Sequence, residues 1–390
     1  MNLASRMSDT LRIAILTTDD RSLSSRWHGD APTFGAAPLA LLQGFEQLKD
    51  VEVHVIYCLR EKMATREDFM SGIHFHQVVV PKWGWMSSGY LGCIAAVRKC
   101  LAEIRPDIVH GQGTERDCAM EAVHSGFPNV LTIHGNMGEI QRLGYHGHAL
   151  FGRLAAILEK HALRRSAGIF CNSGYTRDLV RPGASRTWLV PNPIREVFFA
   201  PRTGVKKPNG VPQLLNVGLI SPRKRQLDLL RAAGDLVRNG HLLHLVFVGG
   251  LPEHTDYGKE FARELEIAAS AGYAPYPGFL GAADLIELMD RSDGFVHFPT
   301  EEAFGLVVAE AMARGLKFFG ANLGGIVEIA RGIDGAELHD DVESLKTGLV
   351  CWLDAGAPAP KLTADEIARR YHPRVIADRH VKIYREVLGS

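Results

Sequence analysis

Short apolar runs of strand length alternate with longer segments of helical period through most of the chain. Residues 11–17, 51–57, 72–80, 108–111, 130–134 and 168–172 read as strands, and 38–48, 92–104 and 152–166 carry apolar residues at helical spacing. Such alternation predicts a mainly parallel sheet with helices on both faces. The rhythm stops over 198–212, where Pro201, Pro208 and Pro212 stand with Gly204, Gly210 and the pair Lys206-Lys207, so this stretch reads as a linker. It resumes at 214–218, 243–249, 277–280, 294–299, 317–321 and 348–352, which predicts a second doubly wound α/β domain. A last helix is expected over 374–388, with Val375, Ile376, His380, Ile383, Tyr384 and Val387 on one face.

Bulk composition narrows the function classes. At 390 residues the chain exceeds one ordinary core. Lys+Arg and Asp+Glu are both 44, so no basic field favours a nucleic acid partner. No run approaches the roughly 20 apolar residues of a membrane helix, and the first apolar stretch is too short for a secretory leader. The expectation is a cytoplasmic protein, with peripheral contact at the inner face of the membrane left open. Cys58, Cys93, Cys100, Cys118, Cys171 and Cys351 form no C-x-x-C pair, and they read as small hydrophobes in a reducing compartment. Neither His74 with His76 nor His146 with His148 has a third carboxylate or histidine at supporting spacing, so no metal is expected. A phosphate-binding G-x-x-x-x-G-K-[ST], a G-x-G-x-x-G after the first strand and a G-x-S-x-G are all missing from the sequence.

In open α/β sheets ligands sit beyond the carboxyl ends of strands, where helix N-termini point. The segment FVHFPTEEAFGLVVAEAMARG (295–315) has that form. A strand ends near Pro299, Glu301 and Glu302 follow, and a helix is expected to open around Phe304. The backbone N–H groups of Phe304, Gly305 and Leu306 would then suit a phosphate, and Gly305 permits close approach. Glu310 lies two turns into that helix, where ribose hydroxyls are suitable donors to an otherwise costly buried carboxylate. Taken singly, each of these carboxylates also fits a solvated helix start. A second strand end is followed by Gly218-Leu219-Ile220-Ser221-Pro222-Arg223-Lys224, which would bring an ammonium to a diphosphate leaving group. Glu302 and Lys224 are expected to stand exposed, so that alanine there costs turnover far more than folding.

The string Glu302, Phe304, Gly305, Leu306, Glu310, Ala311, Met312, Ala313, Gly315 resembles the E-x(7)-E signature of glycosyltransferase family 4. The likeness continues through Gly324-Gly325-Ile326-Val327-Glu328 and extends more loosely over the rest of the chain. His134, after the strand 130–134, is similar to that family's strand-end histidine. The loop Phe34-Gly35-Ala36-Ala37 resembles its N-terminal Gly-Gly loop, with Ala36 at the second glycine. Ser173 and Asn192 also match family positions. Where the family has an arginine after the strand-end glycine, this chain has Leu219, and Arg223 or Arg225 is left to compensate.

The resemblance implies a GT-B architecture: an acceptor-side domain over 1–196, a nucleotide-sugar domain over 212–368, and a final helix, 369–390, packing back on the first domain. It implies retaining transfer of a sugar from a nucleotide-diphosphate sugar, a UDP- or GDP-sugar, without a metal or cofactor. The acceptor class it leaves open is a sugar, a glycan or a lipid-linked glycan. Glu302, His134 and Lys224 would be the catalytic residues. Glu310, Phe304, Gly305, Leu306, Arg223, Gly218 and Gly35 would bind the donor. Two other readings stay open: a non-catalytic nucleotide-sugar-binding paralogue acting as a partner subunit, and another GT-B enzyme such as a sugar-nucleotide epimerase. The aromatic stretch Trp83-Gly84-Trp85 with Tyr90 fits either an acceptor or lipid surface or a loop capping the core.

Overall fold

The computed structural model describes residues 10–23, 31–66, 69–143, 149–202 and 210–389. The chain divides into two compact units, 1–195 together with 372–390, and 196–371. The first unit runs β1 (Leu11–Leu16), α1 (Ala36–Glu46), β2 (Val51–Leu59), β3 (Ile73–Val79), α2 (Leu91–Ile104), β4 (Ile108–Gln112), α3 (Cys118–Val123), β5 (Asn129–Ile133), α4 (Met137–Arg142), α5 (Ala149–Arg165), β6 (Ile169–Cys171), α6 (Gly174–Val180) and β7 (Thr187–Leu189). The second runs β8 (Gln213–Val217), α7 (Gln226–Arg238), β9 (His244–Val248), α8 (Asp256–Ser270), α9 (Ala282–Arg291), β10 (Gly294–His297), α10 (Leu306–Ala313), β11 (Lys317–Ala321), α11 (Gly324–Ala330), β12 (Ala336–His339), α12 (Val342–Asp354) and α13 (Thr363–Tyr371). The last helix, α14 (Pro373–Leu388), belongs to the first unit.

Both sheets are parallel, in the orders β3-β2-β1-β4-β5-β6-β7 and β12-β11-β10-β8-β9. Their central strands are apolar on both faces, as burial under two helical layers requires. Strand order reverses between β1 and β4 in the first sheet and between β8 and β10 in the second. At such a switch point neighbouring connections leave the sheet toward opposite faces and open a crevice at the carboxyl ends. The loops carrying Lys224 and Glu302 follow β8 and β10 and so flank the second reversal.

Helix α14 packs on α1, within the first unit, as the resemblance implies. Phe45 stacks on Tyr384 at 6.4 Å between ring centroids, and a β-carbon on Gly44 would stand 2.3 Å from the carbonyl oxygen of Pro373. Two readings of the pattern are corrected. Residues 348–352 are helix within α12, because Leu345, Leu349 and Trp352 are buried at helical spacing and Asp341 caps the start with Ser344. Residues 277–280 form no strand, only a single bridge from Val248 to Gly278. The short strands β7 and β12 were not expected from the pattern; both lie at sheet edges, where fewer positions need to be apolar. Of the linker, residues 203–209 lie outside the described residues.

Candidate active site

In the second unit, the loops after β8 and β10 are joined through their backbones. The N–H of Thr300 donates to the carbonyl of Arg223 at 2.8 Å, and Asn216 Nδ2 donates to Val296 O at 2.8 Å one level below. Gln226 closes the first loop on itself, accepting from Ser221 N at 3.2 Å and donating to Leu219 O at 3.1 Å. The second loop is braced from behind by α11. The N–H of Gly325 donates to Glu302 O at 3.0 Å, and a β-carbon on Gly324 would lie 2.2 Å from that same oxygen. The Gly-Gly pair is therefore a steric demand of the loop that holds Glu302.

These braces bring Lys224, Glu302 and His297 together. Lys224 Nζ donates to Glu302 Oε2 at 2.5 Å, and His297 Nε2 lies 2.9 Å from the same oxygen. Both side chains of the ion pair are 12% exposed, so the expectation of freely exposed groups is corrected: they are largely covered because each satisfies the other. Burial raises the Glu302 carboxyl, but the Lys224 ammonium and the His297 hydrogen bond outweigh it and hold it well below the usual carboxylate range. Burial, then the charge of Lys224, lowers His297, which is thus neutral. Its Nε2–H donates to the carboxylate, while Nδ1 is buried with no hydrogen-bond partner. His297, the last residue of β10, escaped the sequence reading because it sits within an apolar run; its place at a strand end beside the switch point was the available signal.

Arg223 and Arg225 take different directions. Arg223 Nη1 pairs with Glu301 Oε2 at 3.0 Å, whose carboxyl burial still raises above its ordinary value. Arg225 turns away to Asp228 at 2.6 Å and covers the ring of Phe298. Neither guanidinium takes the place of the side chain at Leu219, which is 60% exposed. Helix α10 begins two residues later than expected, at Leu306, with Gly305 as its N-cap at φ 96°. Phe304 is buried against Tyr371, with ring centroids 5.7 Å apart. Glu310 is 4% exposed, on the inner side of α10. The far end of α10 is fixed by Arg314, which binds both carboxylate oxygens of Asp290 and the carbonyl of Phe198.

The remaining site residues are in the first unit. His134 follows β5, and its Nε2 lies 3.1 Å from Gln112 Oε1. Burial lowers its basicity, opposed by the charge of Glu115 and a hydrogen bond with Asn192. Gln112 in turn meets His110, which bonds Thr132 Oγ1 at 2.7 Å and the Tyr384 hydroxyl at 2.5 Å. His110 is therefore a core residue tied to α14, and Gln112 is the contact that sequence reading missed. Ser173 caps α6 through Thr176 N at 3.1 Å. Gly35 is the exposed N-cap of α1. Trp85 and Tyr90 pack on the core, whereas Trp83 points outward.

His74 and His76 stand beside His54 and Glu52 of the neighbouring strand. The strand register thus supplies the third histidine and the carboxylate that linear spacing lacks. His54 spends both ring nitrogens, one on His76 at 2.9 Å and one on Glu52 at 3.0 Å. His146 and His148 lie outside the described residues.

The family model described as Glycosyltransferase Family 4 matches residues 39–196, and the model described as Glycosyl transferases group 1 matches 201–340. The chain is similar to the glycogen synthase of Mycobacterium tuberculosis, 26% identical over 265 residues, which are 66% of this chain and 62% of that protein. It is also similar to the D-inositol 3-phosphate glycosyltransferase of Nocardia farcinica, 34% identical over 41% of this chain and 35% of the relative. These matches span less than two thirds of the relatives' own lengths. Among solved structures, sucrose-phosphate synthase from Thermosynechococcus elongatus superposes with a TM-score of 0.74 at 17% identity, covering 97% of this chain and 99% of that one. HepE of Anabaena, solved in complex with UDP and glucose, gives 0.69 at 18% identity over 96% and 99%. With both halves matched in order and the two-sheet fold shared along its length, the chain belongs to glycosyltransferase family 4 and has the GT-B fold.

Proposed function

We propose that the chain is a retaining glycosyltransferase that moves a sugar from a nucleotide-diphosphate sugar to an acceptor hydroxyl. The observation that carries this reading is the Lys224–Glu302–His297 group at the switch point of the second sheet, beside the N-terminus of α10. An ammonium and a helix N-terminus suit a diphosphate, and a carboxylate kept ionised suits sugar hydroxyls. In this assignment Lys224, Arg223 and the N–H groups near Gly305 and Leu306 take the diphosphate, with Gly218 and Gly35 leaving room for its approach. Glu310 takes the ribose, and Glu302 and His134 take the sugar. Lys224 then leaves Glu302 for the phosphate, and His297 keeps the freed carboxylate oriented.

The acceptor hydroxyl attacks the anomeric carbon on the face from which the nucleoside diphosphate departs. Its proton passes to the departing phosphate oxygen, and configuration is retained. Lys224 and the helix start stabilise the charge that grows on the leaving group, so no metal or cofactor is required of the donor site. A uridine nucleotide is the first candidate, since HepE of Anabaena was solved with UDP-glucose and with UDP. No helix among the described residues is long and apolar enough to cross a membrane; we place the enzyme in the cytoplasm, with an acceptor that is a sugar, a glycan or a lipid-linked glycan.

The test is incubation of purified protein with UDP- and GDP-sugars and an acceptor panel, following nucleotide release and the anomeric configuration of the product by NMR. Release that depends on Lys224, with the donor's configuration kept, supports the reading; an inverted product refutes it. Leu219 favours one rival, a non-catalytic nucleotide-sugar-binding partner subunit. Tight nucleotide binding without any release would establish that rival instead.

A further inference from the structure

Four ionisable groups meet inside the core of the first unit, apart from every residue assigned above to the transfer reaction. Cys58 is near the end of β2, Cys93 is in the first turn of α2, Asp117 immediately precedes α3 and Glu121 lies one turn into it. Strand pleating turns Cys58 toward the helical layer that covers Ile56. The spacing of four residues puts Asp117 and Glu121 on one side of α3. One donor atom from each, two sulfurs and two carboxylate oxygens, lies within 4.8 Å of all the others, and all four residues are buried. Cys58 Sγ is 3.1 Å from Glu121 Oε1. Asp117 Oδ1 is buried with no hydrogen-bond partner. The same cluster contains Ile56, Tyr90, Ile94, Ala119 and Ala122, so the setting is apolar.

Two carboxylates in such a place call for a counter-charge, of which the Arg116 guanidinium supplies a part at Asp117. We propose that Cys58, Cys93, Asp117 and Glu121 form a structural site for a divalent cation of the zinc class. Two thiolates and two carboxylates complete a four-coordinate shell, and Asp117 Oδ1, buried without a hydrogen-bond partner, is a donor available to it. Zinc lies about 2.3 Å from sulfur and about 2.1 Å from oxygen, which spaces tetrahedral donors roughly 3.5 Å apart. Binding releases the thiol protons and any carboxyl proton to solvent. The ion would clamp β2, α2 and α3, and α3 opens from the loop in which Glu115 accepts the N–H of Gly135 beside His134. The expectation of no metal arose because the donors come from a strand and two helices, a combination that linear cysteine spacing does not display.

The competing arrangement keeps both thiols protonated, shares a proton between the carboxyls and takes no metal. The full chain, purified without chelator or an affinity metal, is analysed for zinc by mass spectrometry, and cobalt(II) is then exchanged in. The proposal predicts one zinc per chain, thiolate-to-cobalt charge-transfer absorption, and at least a roughly tenfold loss of zinc affinity in Cys93→Ala. His74→Ala, at the exposed histidine cluster, should leave the stoichiometry unchanged. If Cys93→Ala does not fold, the cobalt spectrum of the unaltered protein decides alone. Metal-free protein with no thiolate absorption, or zinc that is lost with His74 rather than with Cys93, would overturn it.

Discussion

The two units present the same parallel architecture and fill their sheet ends in opposite ways. In the first, His134 rests on a chain of neutral groups: Gln112, His110, Thr132 and the Tyr384 hydroxyl. In the second, Lys224, Glu302, Arg223 and Glu301 are charged, and only His297 beneath them is neutral. A neutral chain costs little to bury once every hydrogen bond is made, and it holds a side chain in one orientation. A covered ion pair repays its desolvation only while both partners remain, and it offers a charge to any ligand that replaces one of them. Under the proposed function, the first unit would orient a group near an uncharged sugar, and the second would exchange partners with a diphosphate.

Breaking the charged side should have the largest effect. Lys224→Ala removes the ammonium from Glu302 and should lower kcat by about 10²–10³-fold. Because the pair is covered, it should also lower unfolding free energy by roughly 3 kcal/mol, measured by denaturant titration. Adding Glu302→Gln should restore part of that stability, with a coupling of roughly 1–3 kcal/mol; simple additivity would show that the pair is not formed. Next in size is the brace behind Glu302. Gly324→Ala puts a β-carbon 2.2 Å from a carbonyl oxygen at φ +52° and should cost roughly 1–3 kcal/mol. Gly35→Ala in the first unit has its nearest atom at 3.6 Å and should stay within about 0.5 kcal/mol of the parent.

Acid should separate the units by pH window. Burial holds His380 down at about 4 and keeps His110 and His134 low. The unfolded chain takes up protons at these positions near pH 6.5 while the native chain refuses them. Their contribution is therefore complete above that pH and lost as pH falls toward 4. The lowered His297 adds a loss of the same sign in this window. Glu302 is likewise lowered, but its loss begins only as the unfolded carboxyl protonates near pH 4.3. Acid titrations followed by hydrogen exchange should show the first unit weakening first. A smaller loss than that of Gly324→Ala is expected from Tyr384→Phe, which frees His110 of one hydrogen bond and should cost about 1 kcal/mol.

Glu302, Glu310 and Gly324-Gly325 pointed to the second sheet's strand ends through the family resemblance; the structure makes Glu302 and the two glycines charge and backbone requirements of one loop pair and places Glu310 inside α10. Most strands were equally legible, since parallel strands buried on both faces must be continuously apolar. Residues 348–352 misled because a short apolar run in a buried helix face has the length of a strand, and only the cap at Asp341 distinguishes them. Lys224 and Glu302 were each visible as loop residues, but not as partners, because 78 residues separate them in sequence. Gln112 and the cysteine–carboxylate group escaped for the same reason: sheet order and helix packing bring them to their neighbours, and no local period records that order; His297, five residues from Glu302, was hidden instead within an apolar run.

The most direct test of the account is the thermal stability of the purified protein against UDP, GDP, ADP and their sugars. A nucleotide at about 100 times its Kd stabilises the native state by roughly 2.7 kcal/mol by mass action, without any acceptor. The account predicts a rise in Tm with one nucleotide, lost in Lys224→Ala and weakened in Glu310→Ala. No rise with any nucleotide would contradict it, and would mean that, with leucine at 219, the switch point of the second sheet does not hold a diphosphate.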